Sequence, residues 1–116
     1  MTSYMLIYRA PEGGQAETTP EIAQAWQSFL VSVGANMKDA GNPVFERTVI
    51  GSGTADTVLG GYSIIEAGSF DEAVELAQGV PFLRLGGAVE IGELTRLDVD
   101  SLLTEASDHA RATKLS

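Results

Sequence analysis

Cysteine is absent from this 116-residue chain, so neither a disulfide framework nor thiol chemistry is open to it. Histidine and tryptophan occur once each, and aromatic residues make up only 7% of the chain. Seven basic residues stand against sixteen acidic ones, a formal net charge of −9. Binding to phosphates needs clustered Lys and Arg, and seven scattered along the chain form no cluster, so no nucleic-acid partner is expected. The acidity reads instead as a source of solubility. No apolar run approaches the roughly 20 residues of a membrane span. The N-terminal MTSYMLIYRAPEGG has a short apolar run without a basic segment before it, which suits a strand and not a signal peptide; the default location is the cytoplasm.

What is present is enough for one domain with a modest core, at 44% hydrophobic residues. Residues 4–9 are apolar on both sides, with Tyr4, Leu6 and Tyr8 against Met5 and Ile7, as in a strand covered on both faces. After a polar loop at 10–18, Thr19 is an N-cap with Pro20 in the first helical position. Ile22, Trp26, Phe29, Leu30, Val33 and Met37 follow at helical spacing until Gly41-Asn42-Pro43. Gly34 falls inside this run at about 1 kcal/mol of helix propensity. Residues 44–50 alternate as a second strand, and 51–56 form a turn.

The next stretch is the most sharply punctuated. A Gly pair, Gly60-Gly61, opens an apolar strand through Ala67, and Ser69 with Glu72 makes a capping box. Phe70, Ala73, Val74 and Ala77 fall on one helical face, Gly79 and Pro81 stop the helix, and Gly86-Gly87 turns the chain into a last strand at 88–94. The order is β-α-β-β-α-β, which predicts an α+β, ferredoxin-like unit: a four-stranded antiparallel sheet in the spatial order 4-1-3-2 with two helices on one face. The two-sided strands at 4–9 and 62–67 take the central positions. Their second faces need cover, and a homodimer joined sheet to sheet provides it. The domain spans residues 1–97. Residues 98–116 are a polar, Ala-rich tail in which Leu102, Leu103 and Ala106 would make a short helix.

Several of these residues, in this order, resemble the YCII-related family in its DGPF-type branch. They are the opening Tyr4-Met5-Leu6-Ile7-Tyr8, the Pro20-Glu21 helix start and its spacing to Ala40-Gly41. With them go Gly60-Gly61-Tyr62 leading through Phe70-Asp71-Glu72-Ala73 to Pro81, and Gly86-Gly87-Ala88-Val89-Glu90-Ile91. The resemblance implies a dimeric α/β barrel with a pocket between sheet and helices. Most members have no assigned activity; related small enzymes include a dehydrochlorinase with a His-Asp pair. The chain departs from the family in lacking the DGPF tetrapeptide, in carrying Val80-Pro81-Phe82 where relatives often have Cys-Pro-His, and in having no histidine before the tail.

The residues themselves offer little catalytic chemistry. His109 beside Asp108 would form an oriented base, but both lie in the tail without an apolar scaffold around them. No carboxylate spacing fits a calcium loop, and neither Gly pair continues into a phosphate-binding motif, so no metal and no cofactor are expected. Ser63, Ser69 and Thr48 have no histidine to activate them.

The candidates that remain for a ligand pocket are Tyr8, Arg9, Arg47, Tyr62 and Glu90. Strand alternation turns Glu90 away from the helices if Val89 and Ile91 face them. Buried there, it needs a partner, with Arg9, Arg47 and Arg84 available; the pair either fixes the dimer or leaves a carboxylate to act as a base. The reading adopted is a small-molecule binding or accessory module. Its rivals are a small lyase or isomerase using a pocket carboxylate as general base, and an interaction protein docking through its tail.

Overall fold

The computed structural model describes residues 1–11, 19–53 and 57–95, together with Asp100, Leu103 and Thr104. Strand β1 runs Thr2–Pro11, helix α1 Pro20–Val33, strand β2 Met37–Asp39, strand β3 Thr57–Ala67, helix α2 Phe70–Ala77 and strand β4 Ala88–Glu93. The sheet order is β2-β3-β1-β4, the expected one, and all pairings are antiparallel. The fold is therefore α+β and ferredoxin-like.

β1 holds the centre because its alternation serves both sides. Tyr4, Leu6, Tyr8 and Ala10 are buried toward the helices, while Met5, Ile7 and Arg9 are half-buried on the other face. β3 repeats this with Ser63, Ile65 and Ala67 inward and Ile64 outward. Phe29 and Val33 from α1, and Ala73 and Ala77 from α2, close the core from above. Among the described residues no helix is long and apolar enough to cross a membrane.

Two expectations are corrected, and one glycine accounts for both. Helix α1 does not run on to residue 41; it ends at Val33, where Gly34 takes φ +55° and ψ −125° and its N–H bonds the Leu30 carbonyl. That conformation is open to glycine and strained for other residues. The chain then makes one 3-10 turn and enters the sheet at once, so the second strand is Met37–Asp39 and not residues 44–50. Its register against β3 runs through Met37 and Ile65. Residues 44–50 are irregular, with Phe45, Val49 and Ile50 exposed.

The second half follows its punctuation closely. Ser69 Oγ accepts from Glu72 N–H, and the Glu72 carboxylate reaches back to the Gly68 N–H. A 3-10 segment at Pro81–Leu85, which the sequence did not announce, bridges α2 and β4. In the tail, Asp100, Leu103 and Thr104 are helical, and Thr104 Oγ1 donates to the Asp100 carbonyl. The rest of the expected tail helix, including Leu102 and Ala106, and the Asp108–His109 pair lie outside the described residues.

Candidate functional site

The site grows from the α1 end of the sheet. Thr19 Oγ1 caps α1 by accepting from Ile22 N–H, and Pro20 presets its first turn. The helix then sends Ile22, Trp26 and Leu30 down one side at steps of four, above Tyr8 of β1. Opposite them, the segment that follows β2 lies against β3. Pro43 bridges Gly61, and the Val44 N–H bonds the Gly60 carbonyl. Gly41, at φ +72°, sits so tightly on Tyr62 that a Cβ there would overlap the Tyr62 carbonyl. Phe82 and Leu85 of the 3-10 segment supply the remaining wall.

Between these elements is a cavity of about 560 Å³. That lies within the roughly 300–1,000 Å³ usual for small-molecule sites. Its lining is mostly apolar and strongly aromatic. The Trp26 ring meets Tyr8 edge-on at 5.0 Å and Phe82 at 5.2 Å between centroids. Phe29 stands behind them, 6.0 Å from Trp26 and 6.2 Å from Tyr8. Edge-to-face pairs of this kind add about 0.5–1.5 kcal/mol each beyond buried area, so the wall has a preferred shape.

The polar groups of the lining are few and connected. The Tyr8 hydroxyl donates to Ser63 Oγ at 2.7 Å, and the Ser63 hydroxyl donates to the Ala40 carbonyl at 2.7 Å. Asn42 Nδ2 donates to Tyr62 Oη at 3.3 Å. Burial pushes the Tyr8 phenol above its ordinary value of 10.0. Tyr8 therefore stays protonated at neutral pH.

Of the five candidate residues, Tyr8 and Tyr62 line the cavity, while Arg9, Arg47 and Glu90 are outside its lining. Arg47 Nη1 donates to the carbonyls of Val44 and Phe45, both at 3.2 Å, which ties down the loop that brings Phe45 to the cavity. Glu90 lies across from Ile7 on the face of the sheet turned away from the helices, with its Oε1 3.4 Å from Arg9 Nη2. At this exposure, 35% and 64% for the two side chains, the pair contributes at most about 1 kcal/mol. Lys38 and Glu66 form a second ion pair at 3.5 Å.

Sequence reasoning passed over Ser63, Asn42 and Phe82 as site residues. Ser63 did leave a signal: it is the one hydroxyl on the inward face of an otherwise apolar strand. Phe82 left one only through the family resemblance, where it stands in place of the relatives' His, and Asn42 left none, because each reaches the cavity through an irregular connection.

The chain is similar to the solved structure of the 5-chloro-2-hydroxyhydroquinone dehydrochlorinase from Burkholderia phenoliruptrix, in complex with 2,5-dihydroxybenzoquinone. The TM-score is 0.54 at 26% sequence identity, over 81% of this chain and 95% of that one. The likeness supports the dimeric α/β-barrel superfamily for the fold. No protein-family model and no curated protein sequence matches the chain.

Proposed function

We propose that the chain is a small-molecule-binding module of the YCII-related family that takes a small, flat aromatic or quinone-type ligand under α1. One observation carries this: a cavity of about 560 Å³ walled by Tyr8, Trp26, Tyr62 and Phe82, whose ionisable side chains among the described residues are phenols. A flat ring matches the aromatic walls, and its burial supplies the affinity. The solved dehydrochlorinase, bound to a dihydroxyquinone at 26% identity, points to the same ligand class.

The module works in the cytoplasm as a homodimer. Half-buried Met5, Ile7 and Ile64 form an apolar strip on the sheet face away from the helices. A specific interface there buries about 1,200 Å² or more. Sedimentation at micromolar concentration checks it: a dimer is expected, and a monomer contradicts it.

Trp26 is the chain's one tryptophan, which makes the binding test direct. Titration with phenol, hydroquinone and 2,5-dihydroxybenzoquinone should change its fluorescence saturably, and cyclohexanol should not compete. A flat response to all three overturns the reading.

A second reading, a small lyase or isomerase, is favoured by the activity of the solved neighbour. It needs a base at the ligand. Tyr8 is a poor one at neutral pH, since burial holds it protonated, and Glu90 is outside the cavity lining. Turnover of a bound chlorohydroquinone, followed by chloride release, would establish this reading in place of simple binding.

A further inference from the structure

The hydrogen-bond chain Tyr8–Ser63–Ala40 has only one consistent direction. A carbonyl has no hydrogen to give, so at 2.7 Å the Ala40 oxygen must accept from Ser63 Oγ. Ser63 has one hydroxyl hydrogen, and this contact uses it. At 2.7 Å on its other side, Ser63 Oγ must therefore accept, and the Tyr8 hydroxyl gives its hydrogen there. Tyr8 is left with an oxygen that has lone pairs and no hydrogen to offer. Ser63 is only 1% exposed and Tyr8 6%, and all three residues line the cavity. The backbone holds the arrangement: Gly41, next to Ala40, seats on Tyr62, next to Ser63.

We propose that Tyr8 is the specificity-determining residue of the cavity: its oxygen accepts a hydrogen bond from a hydroxyl on the aromatic ligand, so that phenols bind in preference to their methyl ethers. The inference rests on the reading of the cavity as an aromatic-ligand site and adds which ring substituent it selects. A ligand offering only acceptors toward Tyr8 sets lone pair against lone pair at a mostly apolar wall, and loses there the hydrogen bonds it had in solvent. A phenol replaces them. The raised pKa of Tyr8 keeps the group a neutral acceptor across the physiological range.

The test compares phenol with anisole, which has the same ring and oxygen without the hydrogen, using Trp26 fluorescence. One net hydrogen bond is worth a factor of about three to ten in affinity, and the unaltered protein should prefer phenol by that much. In Tyr8→Phe the preference should fall to about one while anisole still binds. Ser63→Ala frees the Tyr8 hydrogen and keeps its oxygen, so the anisole affinity should rise toward that of phenol. This second variant keeps the test alive if Tyr8→Phe does not fold, and a purely structural role for Tyr8 would not produce its effect. Equal affinities in the unaltered protein, or an undiminished phenol preference in Tyr8→Phe, overturn the proposal while leaving the aromatic site standing. Failure of every aromatic to bind overturns the underlying reading and this inference with it.

Discussion

The two helices lie over the same sheet but meet it differently. Under α2 the fully buried residues are alanines, Ala73 and Ala77, which bring the helix close to the sheet, with Leu76 packed beside them and Phe70 edge-on to Tyr4 at 5.7 Å at the helix start. Under α1 the contact residues are large and rigid. Trp26 and Phe29 hold that helix off the strands, and the chain beyond it wanders through residues 40–47 before rejoining β3. Small residues pack the α2 side, and the cavity of about 560 Å³ opens under α1. Small side chains set a close packing distance, whereas a cluster of large rings such as Tyr8, Trp26, Phe29 and Phe82 leaves space beside it.

This contrast can be broken by overfilling the tight side. Ala73→Leu should cost about 3 kcal/mol, read as a lower midpoint in urea denaturation, because Ala73 is fully buried and a larger side chain there overpacks the core. Leu30→Ala at the cavity rim, where the side chain is already 41% exposed, should cost less than about 1 kcal/mol. Similar losses for the two would show that both halves are equally packed.

Gly34 is the next point of attack, since it decides where α1 stops and hence where the cavity wall begins. Nothing lies near a Cβ built there, so Gly34→Ala is opposed by backbone conformation alone. A loss of about 1–2 kcal/mol in the same denaturation assay is expected. No loss would mean that the helix end adapts freely.

The smallest effect concerns Tyr8. Burial raises its folded-state pKa above the ordinary 10.0, so the folded protein holds this proton more tightly than the unfolded chain does. The resulting stability is fully present below about pH 10 and is lost as the pH rises through the higher folded value. Tyr8→Phe should remove this alkaline fall from the stability–pH curve and leave the curve unchanged in shape near neutrality. An unaltered alkaline limb would assign the fall to other groups.

The same contrast explains how much of the molecule could be read in advance. In the second half most boundaries have a local chemical cause, such as the Ser69–Glu72 capping box, and the sequence shows it; the 3-10 segment Pro81–Leu85 is the exception. The strand order was equally legible, because the two-sided apolarity of residues 4–9 and 62–67 requires central places. The first half misleads because Met37 continues the helical spacing past Gly34, while residues 44–50 alternate like a strand without pairing as one. In both places local pattern yields to a tertiary requirement, the entry of Met37 opposite Ile65. Tyr8 and Tyr62 were visible as site candidates because strand periodicity locates them. Phe82, Asn42 and the hydrogen-bonding direction of Ser63 depend on loop geometry, which has no period to read.

The central claim is that an aromatic ligand occupies the space under α1 and leaves the α2 side untouched. Amide and indole NMR shifts of isotopically labelled protein, titrated with phenol, test this residue by residue. The account predicts saturable shifts at the Trp26 indole N–H and at the Gly41, Gly61 and Ser63 amides, with Ala73 and Ala77 unmoved. Shifts centred on α2 or on the Met5–Ile7 face of the sheet, or none at saturating phenol, would contradict it.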